Sequence, residues 1–495
     1  MRCALRGHTH SSYIQTAAQL FFPNSRFSFS FEPEIKLLSE GFGVLSCYDE
    51  STGTCRCEAY VDGVKIAGAA LNPGDFNNGT LAEAFLVPKR LLALSAFRAL
   101  REATGAAPPW GALTGVRPAK LVREWLGGGF GEAEISSFLT GEIGCLAEKA
   151  ALAIKTARRE IELTQLTCSL AEPYKKTPLG LYVSVPFCPS RCLYCSFNEG
   201  HGYLGGEIVL NYLEALSTEL ERKSQTAVMQ GGILTSVYVG GGTPTALEPR
   251  QLDKLLRIIE NLKIPKIANM EYTVEAGRPD SITVEKLGIL RGYGINRIAV
   301  NPQTLNAATL NIIGRNHTPG DFFRAYEMAA ASFGCVNVDI IAGLPGETVG
   351  DFARTVKGVA EVGPTNVTVH ALTVKRASRL NENLSDYPMS DSDAVVKMLD
   401  FAGETFSGLG LSPYYIYRQK NSVGNLENAG YSKPGNECLY NSGMMAETLT
   451  IIGAGAGAAS KYVEGARIRR EYNVKNVGLY IARQNGREAD DISGA

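Results

Sequence analysis

The chain has 495 residues, more than one hydrophobic core ordinarily serves, so two or three domains are expected. Its 45% hydrophobic and 20% charged residues are ordinary for a globular protein. A formal net charge of −1 gives neither a global basic field for nucleic acid nor an acidic tail, so no nucleic-acid partner is expected. No run of about 18 apolar residues is present, which excludes a helical membrane span.

The segment MRCALRGHTHSSYIQ is interrupted by polar residues where a signal peptide needs a continuous apolar stretch, so a cytoplasmic location is expected. In that reducing compartment the 11 cysteines point to metal or catalytic roles rather than disulfides. The isolated Cys3, Cys47, Cys145, Cys168 and Cys335 are expected as small buried hydrophobes, and the Cys55–Cys57 pair as strand alternation.

Three regions follow in chain order. Residues 1–170 begin with short apolar runs and turn signals (FFPNSRFSFSFEPE, LNPGDFNNGT) and end in helical patterns, which predicts an N-terminal α+β domain with no legible chemistry. Residues 175–380 alternate apolar, β-branched runs with amphipathic stretches. Strands are predicted at 181–186, 234–239, 270–276, 295–300, 335–343 and 366–372. Six such units specify a parallel sheet with right-handed crossovers: an α/β fold, a partial (β/α)6 TIM-like barrel whose chemistry lies at the C-terminal strand ends. Residues 381–495 form a C-terminal extension with one clear helix (DAVVKMLDFAGETFSGLG), turn-rich sequence, a glycine-alanine run and a mixed tail.

The first strand leads into LYVSVPFCPSRCLYCSFNEG. Cys188, Cys192 and Cys195 stand in a C-x3-C-x2-C pattern, and three thiolates on one short loop can hold three irons of a cubane cluster. The fourth iron is left for the amino and carboxylate groups of S-adenosylmethionine (SAM). Phe187, Tyr194 and Phe197 are placed to shield the cluster. A structural zinc site competes with this reading, but zinc takes four closed ligands and the nearest further candidate is His201.

The second strand ends in VGGGTPT, where Gly240, Gly241 and Gly242 allow close backbone approach and leave N–H groups free for a ligand. The run lacks the lysine of a P-loop. Polar residues then recur at successive strand ends: Glu275, Asn301 with Gln303, Arg315 a helix later, and Asp339 with Ile341. Glu275 and Asp339 suit ribose or ammonium groups; Gln303 and Arg315 suit amide or carboxylate contacts. The run IIGAGAGAAS lacks the βαβ context of a dinucleotide fingerprint and is expected to pack backbone closely against the barrel or a cofactor.

Taken in order, the cysteine loop with Tyr182 before it, GGGTPT, VEAG, the Gln303–Arg315 pair and VDIIAGLPGET resemble the radical SAM oxygen-independent coproporphyrinogen III dehydrogenases of heme biosynthesis. The resemblance covers about residues 178–460. WGALTGVRP and YYIYRQKNSVGNLENAGYSKPGNECLYN are similar to its HemZ-type branch. It implies a 4Fe–4S cluster on Cys188, Cys192 and Cys195. It implies SAM contacts from Tyr182, Gly241, Glu275, Gln303, Arg315, Asp339, Ile341 and Ala371, with Gly242 and Thr243 near the substrate or a second SAM.

The implied activity is an oxidoreductase reaction that turns propionates of coproporphyrinogen III into vinyls, giving protoporphyrinogen IX. It needs a tetrapyrrole substrate, a reducing electron donor and a terminal electron acceptor. The acidic substrate calls for cations, with candidates Lys375, Arg376, Arg379, Arg418 and Lys420, foremost Arg376 and Arg418.

Two departures stand out. The characterised dehydrogenases carry a further Cys where this sequence has Phe197, an aromatic shared with related heme chaperones. Those chaperones typically carry a His–Asn pair where Asn436, Glu437, Cys438, Leu439 and Tyr440 stand here. A heme-binding chaperone-like protein on the same fold, a radical SAM enzyme for another substrate and a non-catalytic iron–sulfur or zinc module are the alternatives.

Overall fold

A computed structural model describes residues 1–23, 25–31, 39–75, 81, 87–196, 206–419, 422–465 and 467–486. Phe197, His201 and Lys420 lie outside these. The chain forms two compact units, Met1–Arg158 with Arg418–Leu426, and Arg159–Tyr417 with Glu427–Ala495. Among the described residues no helix is long and apolar enough to cross a membrane.

The first unit is α+β. Its five-stranded sheet has the order β2–β1–β3–β4–β5, formed by β1 (Arg2–Arg6), β2 (Ser28–Ser30), β3 (Phe42–Asp49), β4 (Thr54–Val61) and β5 (Val64–Leu71). β1 is parallel to β2 and β3, and β3–β4–β5 is an antiparallel meander. Helix Pro88–Thr104 packs on β4 and β5, burying Leu91, Leu92, Leu94 and Phe97. Cys55 and Cys57 alternate with exposed Arg56 on β4 and are both fully buried, so the C-x-C pair serves the strand. Cys3 and Cys145 are buried too, and Cys47 partly so; in the second unit Cys335 is buried, whereas Cys168 is exposed, contrary to expectation.

The second unit is built on six parallel strands, β6 (Thr177–Val185), β7 (Gly232–Gly241), β8 (Lys266–Glu275), β9 (Arg297–Ala299), β10 (Cys335–Ala342) and β11 (Asn366–Ala371). Helices connect them. Three open on reciprocal caps that stop the strand-to-helix turn sharply: Glu248 with Gln251, Thr318 with Asp321, and Thr348 with Asp351. Val183, Val185, Val237, Val239, Val274, Ile298, Val338, Ile340 and Val367 are fully buried, as a sheet covered on its outer face requires.

Both edges of this sheet are extended by the C-terminal sequence. β13 (Glu427–Ser432) pairs antiparallel with β11 and is flanked by β12 (Ser412–Arg418). β14 (Thr450–Ala454) runs parallel beside β6, followed by β15 (Ala459–Glu464) and β16 (Arg467–Tyr472). These strands were not expected from the sequence.

The glycine-alanine run forms β14 and the turn after it. A side chain at Gly455 would stand 2.5 Å from the Ser184 carbonyl and 2.6 Å from the Tyr212 hydroxyl. Buried Glu219 holds the turn, accepting from the Gly455 N–H at 2.8 Å, Asn473 Nδ2 at 2.8 Å and the Tyr480 hydroxyl at 2.6 Å, with Lys223 paired at 2.8 Å. A strand follows the run, not a helix, and close packing explains its small residues.

Candidate active site

The cysteine loop leaves the C-terminal end of β6 and is seated by its neighbours. The Gly242 N–H donates to the Val185 carbonyl at 2.7 Å and the Thr243 N–H to the Phe187 carbonyl at 2.8 Å. Further along, the Leu193 N–H donates to the Ile313 carbonyl and the Leu380 N–H to the Leu193 carbonyl, both at 3.0 Å. Arg379 Nη2 donates to the Arg191 carbonyl at 2.9 Å and Arg191 Nη2 to the Ala377 carbonyl at 2.8 Å, joining this loop to the segment after β11.

The N–H groups of the glycine run, expected to be free for a ligand, are in part already bonded. Its N–H groups at 242 and 243 are spent on the cysteine loop. A Cβ at Gly242 would lie 2.5 Å from the Phe187 carbonyl oxygen, and one at Gly240 2.8 Å from the Glu275 carboxyl carbon. Gly241 has φ +107, open to glycine alone at low cost, and its N–H donates to the Glu275 carboxylate. The run lets two loops and a carboxylate approach each other.

Cys188 and Cys192 lie in different electrostatic settings. Cys188 Sγ is 3.3 Å from Thr243 Oγ1, and burial pushes its thiol up to about 11. Burial alone would raise Cys192 as well. The charges of Arg315 and Arg278, with hydrogen bonds from Arg315 and Tyr194, outweigh it and hold the thiol below its ordinary value. Arg278 Nη2 stands 3.2 Å from Cys192 Sγ and 2.6 Å from the Ser190 carbonyl, tying loop and thiol together. Cys192 and Cys195 are close enough to raise Cys188, although among the described residues no three His, Cys, Asp or Glu side chains, these included, stand in a metal-ligating arrangement.

The strand-end residues converge on the same lumen. Tyr238 donates to Glu275 Oε1 at 2.7 Å. Asp339 accepts from Asn337 Nδ2 at 2.7 Å and Asn301 Nδ2 at 2.9 Å, and the Asn301 carbonyl accepts from Arg315 Nη1 at 2.6 Å. One network thus runs from Asp339 through Asn301 and Arg315 to Cys192. Glu275 is partly buried, and its burial, reinforced by Asp339, pushes it up to about 7 despite Tyr238 and Gly241. Burial would raise Asp339 as well, but His370, Asn337 and Thr368 outweigh it and keep it low.

Gln303 holds a left-handed backbone, φ 66, bridged to β10: its N–H donates to the Asp339 carbonyl and its carbonyl accepts from the Ile341 N–H. Tyr182, Tyr238 and Tyr440 stack across the lumen, with centroids 4.6 to 6.3 Å apart. Ile341 packs with Leu193, Leu310, Ile313 and Leu372 beneath the cysteine loop, and Ala371 is buried at the end of β11.

The cation set is corrected. Arg418 is buried and spends its guanidinium on the Leu113 and Gly115 carbonyls, the latter at 2.6 and 3.0 Å, with its Cζ 5.6 Å from the Trp110 ring centre. It pins the WGALTG segment of the first unit, with Nε and Nη2 both given to backbone carbonyls. Arg418→Ala is expected to lower stability by about 2–4 kcal/mol, through orphaned carbonyls and lost charged hydrogen bonds, read as an earlier denaturant midpoint.

Arg376 is exposed at the segment after β11. Lys375 beside it feels both Cys195 and Lys475. Lys475 was not foreseen. It lies 100 residues downstream, against Gly457 and the turn that packs on the end of β6, a placement only the fold reveals. His370, on β11 within the lumen, was missed as well: it sits inside an apolar strand and carries no motif.

Comparison with known proteins accords with this geometry. The Radical SAM superfamily profile matches residues 182–358. The chain is 36% identical over 390 residues, 78% of its length and 76% of the relative's, to the oxygen-independent coproporphyrinogen-III oxidase-like protein HemZ of Bacillus subtilis. The chain belongs to this radical SAM, HemZ-like family. It is also 30% identical over 62% of its length, and 75% of the relative's, to the heme chaperone HemW of Mycobacterium tuberculosis. To the oxygen-independent coproporphyrinogen III oxidase of Escherichia coli it is 30% identical, over 49% of the chain and 51% of that relative. The solved structure of the Escherichia coli coproporphyrinogen III oxidase HemN superposes with a TM-score of 0.50 at 22% identity, over 65% of this chain and 72% of that one, which establishes the fold.

The family uses a 4Fe–4S cluster and SAM. The donor chemistry present fits both, although the three thiols are not drawn together into a ligating arrangement. Three thiols share one loop, one of them held toward its thiolate form. The buried Arg278 Nη1, Arg315 Nε and Gln303 Oε1 have no hydrogen-bond partner in the protein, which is what polar atoms reserved for a ligand look like.

Proposed function

We propose that the chain oxidatively decarboxylates propionate side chains of coproporphyrinogen III to vinyl groups, giving protoporphyrinogen IX. The observation that carries this reading is the 36% identity over most of the chain to a relative named as coproporphyrinogen-III oxidase-like. Each round would remove one hydrogen atom, CO2 and one electron from a propionate, the electron passing to a terminal acceptor. The cluster and SAM, when bound, supply the one-electron chemistry that takes the hydrogen atom.

The protein's own residues hold and position. Cys188, Cys192 and Cys195 would ligate the cluster, with Arg278 and Arg315 stabilising thiolate charge. Glu275, Gln303, Arg315 and Asp339 would orient SAM, and the tyrosines of the lumen would exclude water. Lys375, Lys475 and Arg376 would anchor carboxylates. Neither lysine pairs with an acid among the described residues, so both are available to an anionic substrate.

Lys375→Gln and Lys475→Gln are each expected to raise the KM for coproporphyrinogen III by about tenfold or more, the value of one charged hydrogen bond. Cleavage of SAM in the absence of substrate should stay unchanged. Wild-type KM in both variants would remove the lysines from the substrate site.

The HemW relatives favour a second reading, heme binding without turnover. Titration with hemin separates the two: an oxidase turns over coproporphyrinogen III and binds hemin weakly, and a chaperone does the reverse.

A further inference from the structure

Arg278 stands just beyond the end of β8 and was not among the residues expected at the site from the sequence. It is 2% exposed. Its backbone is fixed at the short turn Pro279–Ser281, where the Arg278 carbonyl accepts from the Ser281 N–H at 2.9 Å and the Ser281 hydroxyl at 2.7 Å. Its side chain is fixed as well. Nη2 donates to the Ser190 carbonyl at 2.6 Å and stands 3.2 Å from Cys192 Sγ, while the buried Nη1 has no partner in the protein. Among the described residues no carboxylate pairs with Arg278, nor with Arg315, the second buried guanidinium beside Cys192. Buried cations are ordinarily paired, so two of them without an acid mark a place kept for negative charge.

Three cysteinates around a 4Fe–4S core carry net negative charge, and an added electron increases it. A donor on a ligating sulfur and a fixed cation beside it therefore favour the reduced form. We propose that Arg278 sets the reduction potential of the cluster: hydrogen-bonded to Cys192 Sγ from a preorganised position, it raises that potential so that a milder reductant can load the electron. The inference rests on the cluster reading of the cysteine loop and goes beyond ligation, to the electron affinity of the assembled cluster. Arg278 is a positioning residue here, acting through the Cys192 sulfur.

The test is the midpoint potential of the reconstituted full chain in the absence of SAM, from an anaerobic redox titration followed by the EPR signal of the reduced cluster. Iron and sulfide are measured on each sample. Arg278→Met, which keeps the length and removes the charge and donors, is expected to shift the equilibrium about tenfold or more against the reduced form, a fall of about 59 mV or more for one electron. Arg278→Lys, which keeps the charge, should recover part of that fall. Arg324→Met, at an exposed guanidinium paired with Asp321, should leave the potential unchanged.

A wild-type potential in Arg278→Met with full iron content overturns the proposal. So does a potential in Arg278→Lys no higher than in Arg278→Met, which would assign the shift to lost packing. Where Arg278→Met assembles no cluster, Arg278→Gln, which keeps an amide donor for the Ser190 carbonyl and drops the charge, takes its place, with a lowered potential expected and a wild-type one overturning the proposal. Wild-type protein that assembles no cluster overturns the reading beneath, a result distinct from an unshifted potential.

Discussion

Replacing Cys192 with alanine is expected to abolish the iron–sulfur chromophore and SAM cleavage together, the latter by more than about a thousandfold. Of Cys188 and Cys192 it is the one whose thiolate the protein favours. Burial opposes ionisation there, yet two guanidinium groups and a tyrosine hydroxyl reverse the balance. Arg278 reaches the sulfur directly at 3.2 Å. A thiolate is the ligand form, so iron capture carries a lower proton cost at Cys192 than at Cys188. Iron and sulfide analysis with visible absorbance checks it. Cys335→Ala, at a buried thiol on β10 remote from the loop in sequence, is the control and should keep the cluster. Full iron content in Cys192→Ala would remove the loop from cluster binding.

Glu275→Gln should separate stability from cofactor affinity. Burial raises the Glu275 carboxyl from an ordinary 4.5 to about 7. A raised carboxyl binds its proton more tightly in the folded protein than in the unfolded chain. Its contribution to stability is therefore full below about pH 4.5 and falls as pH rises through about 7, by on the order of 3 kcal/mol. Glutamine cannot ionise and loses that dependence. Glu275→Gln should thus gain on the wild type as pH rises from 5 to 8, read as the difference in Tm. Glu347, pushed up to about 7 as well by burial, titrates in both proteins and cancels in that difference.

Binding should move in the opposite direction. A cationic ligand in the lumen favours ionised Glu275, so wild-type affinity for SAM should rise with pH up to about 7 and then level. Glu275→Gln should bind more weakly and without that slope. A variant that binds as tightly as wild type at pH 8 would place the carboxylate outside the cofactor site.

The barrel was legible because its strands are apolar and β-branched and its helices carry caps and amphipathic faces, so all six strands lie where they were expected, the fourth shortened to Arg297–Ala299 and the first lengthened to Thr177–Val185. The cysteine spacing was legible because three thiols on one short loop have few other uses. The C-terminal strands were not. ENAGYS and TIIGA are rich in glycine and small residues, which individually disfavour strands. They become strands because they dock on the edges of a sheet already formed, where Gly430 makes room for the Tyr415 ring.

The partners of VGGGTPT were hidden for a related reason. Glycine announces close approach without saying of what, and here the partners are the Phe187 carbonyl and the Glu275 carboxylate. Arg418 illustrates the limit for charges. A lone arginine in sequence suggests an anion, but backbone carbonyls at Leu113 and Gly115 can claim it first.

The proposed reaction is tested most directly by one coupled measurement. The protein, purified without oxygen and with its cluster reconstituted, is incubated with SAM, a reductant, an electron acceptor and coproporphyrinogen III, and 5′-deoxyadenosine and CO2 are followed together. The expected result is that both appear in step while protoporphyrinogen IX accumulates. Formation of 5′-deoxyadenosine with the tetrapyrrole untouched would contradict the substrate assignment and put heme binding, or another acidic substrate, in its place.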